Sequence, residues 1–246
     1  VAIVVGALAG YVGSLMVLKR MALVGDALTH VALPGMGIAL LLNINPFFGA
    51  ITSLLMGVLI IWLAETRTKL PVEALTGVIF SVSLAIGFLV TPEPDLLEAL
   101  FGDISKTSVF DGALAIVLSI IIFFVTKKVY PKVMLSTISE DLARSHGIRV
   151  ALYNLLYLFV VVGIVALGVR VVGALLMGAL VVIPAAAAKN MANSLSSYVR
   201  KSFVIGALSA VLGIFTAAYF RVLPGPPVVL IAAAVFLLSV FMKRRS

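Results

Sequence analysis

The 246-residue sequence contains no cysteine, only two histidines, one tryptophan and ten acidic residues. Without cysteine there are no disulfides, no thiolate metal sites and no thiol nucleophile. Charged residues are scarce too, at 11% against 63% hydrophobic, with a mean hydropathy of +1.25, a balance that no water-soluble core absorbs. A signal segment or lone anchor does not account for it, because apolar runs of spanning length recur from Val1 to Met242. No stretch remains for a separate soluble domain. The expectation is one transmembrane domain over residues 1–246, an all-α polytopic bundle.

Apolar stretches fall at 1–18, 21–42, 46–64, 74–91, 108–126, 150–169, 171–188, 202–220 and 224–242, which predicts about nine spans of the length a ~30 Å hydrocarbon layer requires. Lipid offers no hydrogen bonds to an open backbone, so runs this long and non-alternating are helices. If alternate connections lie on opposite sides, one set holds Lys19, Arg20, Arg67, Lys69, Lys127, Lys128, Lys132, Arg144, Arg149, Lys189, Arg200, Lys201, Lys243, Arg244 and Arg245. The other holds Lys106, Arg170 and Arg221. That asymmetry puts the first set and the C-terminus in the cytoplasm and residue 1 outside. The net charge of +8 is therefore topological, and nucleic acid is not an expected partner. Val1 begins inside an apolar run, so a short preceding piece is expected.

Glu93, Asp95, Glu98 and Asp103 cluster in or near the loop after the fourth run, with Asp111 just inside the fifth. Such a mouth concentrates cations; a solvated loop that docks a partner explains it equally well. Within the spans the exceptions to apolarity are Asp26 and His30, four residues apart and hence on one helical face, ~9 and ~15 Å along the axis from Arg20. Ionisable groups that deep usually mark a pathway or site. A carboxylate and an imidazole are half of a nitrogen/oxygen site for Zn²⁺, Mn²⁺ or Fe²⁺; a hydrogen-bonded Asp–His pair joining two helices is the alternative that spacing leaves open. Two ligands from one chain hold a metal poorly, yet a two-fold axis between two copies would supply two Asp and two His. Pro34, Gly35 and Gly25 flank the pair, either weakening the helix beside a cavity or allowing close helix packing.

Other chemistries fit less well. Ser145-His146 lies in a connection with no triad acid and no glycine-flanked nucleophile turn. Gly102 to Thr107 has no glycine before Lys106 and lies on the outer side, so it is not a phosphate loop. Transport driven by ATP would need an ATPase on another polypeptide. Two polar segments of the cytoplasmic set, 136–149 and 186–201, are the features suited to docking one.

Residues 25–37, GDALTHVALPGMG, closely resemble the membrane permeases of the zinc/manganese/iron ABC importer family, whose pattern there is GDALSHAVLPG-like. Further matches run in order along nearly the whole chain: Leu18 to Met21, Asn45-Pro46, Leu100 to Ile104, Asp141 to Ala143 followed by Gly147-Ile148, and Val171 to Leu176 running into Val182 to Ala186. The resemblance implies a homodimeric or pseudo-symmetric permease, cytoplasmic ABC ATPase subunits, and an extracytoplasmic metal-binding protein that delivers the ion. It makes Asp26 and His30 the metal-facing residues. It makes the segment after Pro184 the coupling element that docks on the ATPase, with Ala186, Lys189, Asn190, Ala192 and Ser194 as its contacts. Lys189-Asn190-Met191 departs from the usual arginine and leucine, so that contact differs in detail. The implied activity is uptake of a divalent transition-metal ion across the cell membrane, with the metal as cargo and no permanently bound cofactor. The rival reading is a secondary transporter that uses a proton or sodium gradient through the same pair, against which stands the scarcity of other buried ionisable groups.

Overall fold

The computed structural model describes residues 1–68, 70–91, 100 and 109–242, with backbone only at 109–111, 170–172 and 175. Among these residues ten helices follow one another: α1 (Ala2–Leu18), α2 (Ala22–Leu41), α3 (Pro46–Arg67), α4 (Val72–Val90), α5 (Val109–Ile138), α6 (Glu140–Ser145), α7 (Val150–Val172), α8 (Ala174–Met191), α9 (Leu195–Phe220) and α10 (Gly225–Met242). Each expected span coincides with one of these, α6 being the extra, short one. Among the described residues seven helices are long and apolar enough to cross a membrane, with Ala2–Leu18 and Leu176–Met191 as further apolar helical stretches. Against the expected nine spans, seven meet that measure among the described residues, and α1 and α8 pack within the bundle. Glu93, Asp95, Glu98, Asp103, Lys69, Lys106, Lys243, Arg244 and Arg245 lie outside the described residues, as do the side chains of Asp111 and Arg170 and the motif residues Phe101 to Ile104.

Local chemistry sets several boundaries. Pro46 opens α3 at its first turn, and the Asn45 side chain accepts a hydrogen bond from the Phe47 N–H at 3.0 Å. α1 ends in a Schellman turn, the Arg20 N–H bonding Val17 O and the Met21 N–H bonding Met16 O, with Arg20 in the left-handed region at φ +60°. The α7–α8 corner is made at Gly173, φ +90°, a conformation only glycine adopts without strain. The break therefore falls three residues later than the charge of Arg170 suggests.

α5 differs most from expectation. It does not stop at 126 but runs unbroken through Lys127, Lys128 and Pro131 to Ile138. Thirty residues at ~1.5 Å each make ~45 Å, more than the hydrocarbon layer, so its last turns project beyond the membrane. Ser139 then caps α6 by accepting from the Leu142 N–H.

Helix association in lipid relies on small residues that let backbones touch. α1 runs through the middle of the bundle, packed along α9 and crossed by α8. A Cβ on Gly6 would sit 2.6 Å from Ala210 Cβ and 2.7 Å from Gly206 O. α2 lies between α3 and α4 on one flank and α8 on the other. Leu15, Met16, Leu28, Tyr157, Ile164 and Met177 fill the space between them, all fully buried. The outward faces of α3, α4, α5, α9 and α10 expose Met56, Leu89, Phe124, Phe215 and Phe241, as lipid-facing surfaces do.

Candidate ion path

α2 continues unbroken through Gly25, Pro34 and Gly35. The two glycines serve close approach: a Cβ on Gly35 would collide with Gly49 O and lie 2.6 Å from Ser53 Cβ, and one on Gly25 would strike the end of Met16. Close packing is therefore the reading that holds for them. Pro34 acts differently. Having no N–H, it cannot donate to the His30 carbonyl, the bond that position would make in a regular helix. One turn further out, a groove of about 460 Å³ lies between α2, α3 and α4, walled by Val31, Pro34, Ile38, Thr52, Ser53 and Ser83.

Asp26 and His30 share a helical face and meet different surroundings. Asp26 is exposed on the surface of the single chain. Its backbone is pressed on α8, where a Cβ on Gly178 would lie 2.7 Å from Asp26 Cα and 2.9 Å from its Cβ. The carbonyl of Asp26 accepts a hydrogen bond from the buried Thr29 hydroxyl at 2.6 Å. His30 is 7% exposed, its ring edge-on to Phe80 of α4 with centroids 5.1 Å apart. His30 Nδ1 is buried with no hydrogen-bond partner among the described residues. Neither does Asp26 hydrogen-bond His30 among those residues, which speaks against a purely structural pair. No group of three or more His, Cys, Asp or Glu forms a metal-binding cluster among them.

The expected coupling residues sit together, on a corner rather than on a separate helix. α8 continues past Pro184 to Met191; Ala192 turns extended, at φ −93° and ψ 138°. Ser194 then caps α9 by accepting from the Ser197 N–H at 3.2 Å. Lys189 and Ser194 are exposed, Ala186, Asn190 and Ala192 partly buried. Asn190 is held by α10 through a 3.1 Å bond from its Nδ2 to Ser239 Oγ, and Lys201 Nζ donates to Met191 O at 2.6 Å. Below the exposed rim, Ala187, Ala188, Tyr198 and Ile205 form a small apolar core. On α6, Ser145 Oγ donates to Leu142 O at 2.8 Å and makes no triad.

Sequence reasoning missed Gly178 and Phe80, the residues that position the pair. Nothing in a lone glycine or phenylalanine of an apolar run announces a partner on another helix. It also read Lys19 only as a topological charge, although that side chain is partly buried and bonded to Asn154.

The profile of the ABC 3 transport family matches residues 1–243. The chain is 33% identical over 245 residues to a manganese import system permease protein of Streptococcus gordonii, covering 98% of this chain and 88% of the relative. To a high-affinity zinc uptake system membrane protein of Buchnera aphidicola it is 32% identical over 241 residues, covering 95% and 92%. Among solved structures, PsaBC from Streptococcus pneumoniae in complex with Fab superposes with a TM-score of 0.88 at 31% identity, over 99% of this chain and 90% of that one. A putative metal-chelate type ABC transporter in an inward-facing conformation gives 0.77 at 19% identity, over 98% and 83%, a likeness of fold alone.

Proposed function

The chain belongs to the ABC 3 transport family, and from that premise we propose that Asp26 and His30 are the side chains that meet its cargo, a divalent transition-metal ion. As a family member it is a multi-pass permease subunit of an ABC importer, which sets aside a gradient-coupled carrier. Relatives named for manganese and for zinc support a cargo of that class, and one carboxylate with one imidazole suits Mn²⁺, Zn²⁺ and Fe²⁺ alike.

One observation carries the assignment. Asp26 is exposed on a spanning helix, one turn from a buried imidazole nitrogen without a hydrogen-bond partner among the described residues. A carboxylate there costs several kcal/mol against lipid, so it faces something polar. A second copy of the chain, related by a two-fold axis, supplies it: two Asp26 and two His30 make a four-ligand site on the axis. Around this pair the assembly is completed by cytoplasmic ABC ATPase subunits and an extracytoplasmic metal-binding protein. The exposed corner at Lys189 and Ser194, with Ala186, Asn190 and Ala192 behind it, docks on the ATPase and transmits its motion. The distribution of Lys and Arg supports a cytoplasmic C-terminus in the cell membrane.

The test is metal uptake by vesicles holding the permease with its ATPase. Asp26→Ala and His30→Ala each abolish uptake while the variants remain folded and bound to the ATPase. Normal transport rates in both would remove α2 from the path.

A further inference from the structure

The turn between α1 and α2 holds a lysine engaged from two other helices. Lys19 caps the C-terminus of α1. Its Nζ donates to Asn154 Oδ1 of α7 at 2.8 Å and lies 4.9 Å from the centroid of the Tyr157 ring, one turn along the same helix. Glu65, at the inner end of α3, faces it with the opposite charge. The lysine thus ties the end of α1 to the start of α7, with Glu65 of α3 acting on it through charge alone. The Schellman turn that follows Lys19, closed by the Arg20 and Met21 N–H bonds to Val17 O and Met16 O, fixes the short connection into α2. α2 starts at Ala22, and Asp26 lies one turn into it.

We propose that Lys19 is a positioning residue for transport: held by Asn154 and Tyr157, its ammonium pins the turn into α2, and with it Asp26, to α7. This rests on the reading that α2 lines the ion path. The topological role of a cytoplasmic lysine requires neither burial nor two fixed partners, and a flexible positive charge in water would serve it equally.

The pin is reversible in protons. Burial pulls the Lys19 ammonium down to about 8, against the attraction of Glu65, which raises it. Among the described residues the charged and titratable groups facing it are Glu65 from α3 and Tyr157 from α7, while the adjoining Arg20 is exposed. Below this value the charged form is held; above it the amine loses its attraction to Glu65 and to the ring. The sign for stability is the reverse. A lysine whose folded value is depressed is charged in the folded state at a cost, and stability rises as pH passes upward from the folded value to the unfolded one. Removing the charge therefore does not unfold the protein near neutral pH.

The experiment uses vesicles with the permease and its ATPase, clamped at the same pH on both faces, and whichever of Mn²⁺ or Zn²⁺ the unaltered protein takes up. Lys19→Met lowers the uptake rate by about tenfold near pH ~7, with an unchanged or higher thermal midpoint, and the deficit closes by about pH 9 because the unaltered lysine is then neutral too. Glu65→Gln, which removes the facing charge, moves the alkaline fall of uptake to lower pH. A Lys19→Met deficit that is absent near neutrality, or that is the same at every pH, overturns the proposal, as does an unmoved profile in Glu65→Gln. Asp26→Ala measured beside them separates the two readings: normal uptake there refutes the path, whatever Lys19 does.

Discussion

Gly178→Ala adds one methyl group at the point where α8 touches the ion helix, and its consequence follows from the geometry. The new Cβ would lie 2.7 Å from Asp26 Cα and 2.9 Å from Asp26 Cβ, where ordinary carbon contacts are ~3.5–4.0 Å. The nearest atom, Asp26 Oδ1, can rotate away only by moving the proposed ligand itself, and the next two, Cα and Cβ, cannot rotate away at all, so α2 must move out by about 1 Å. Overpacking of this kind costs ~1–3 kcal/mol, and a shift of about 1 Å exceeds the ~0.5 Å that a preorganised site tolerates. Uptake should fall by roughly tenfold to a hundredfold, with a modest drop in thermal midpoint. The assay is the initial rate of metal uptake in ATPase-containing vesicles beside Gly77→Ala, where an added Cβ meets nothing within 4 Å and no change is expected. If Gly178→Ala transports at the rate of that control and melts with it, the α2–α8 contact does not hold Asp26 in place.

Two further perturbations address other links in the account. Pro34→Ala returns an N–H to the His30 carbonyl and removes an interior helix proline worth ~3 kcal/mol; a higher thermal midpoint with slower uptake is expected, and a rise in both would make Pro34 merely tolerated. Lys189→Glu combined with Ala192→Pro reverses an exposed charge and, by disfavouring helical geometry at the preceding residue, disturbs Met191, whose carbonyl Lys201 holds. That variant should hydrolyse ATP without moving metal, and unchanged ATPase stimulation by the metal-delivery protein would count against the corner as the coupling element.

How far the sequence reveals this arrangement depends on whether a feature is local. Apolar runs bounded by polar residues locate the helices because span length and backbone satisfaction are properties of the run itself. The Asp26–His30 spacing is equally local, and one helical face follows from it. What fails is whatever depends on a neighbour. Lys127 and Lys128 look like the end of a span, yet α5 carries them on to Ile138, since a helix in water needs only continued backbone bonding. Ala187 and Ala188 read as part of a cytoplasmic segment, but Tyr198 of the following helix buries them. Lys19 reads as one more inner-face charge until Asn154 and Tyr157, more than a hundred residues away, are brought beside it.

The central claim is that the ion is held between two copies of α2, and the stoichiometry of bound metal tests it most directly. Equilibrium binding of Mn²⁺ or Zn²⁺ to the purified permease–ATPase complex, counted against permease chains, should give one ion shared by two chains at saturation, lost in Asp26→Ala and in His30→Ala. One ion per chain, or full binding retained in either variant, would contradict the shared site.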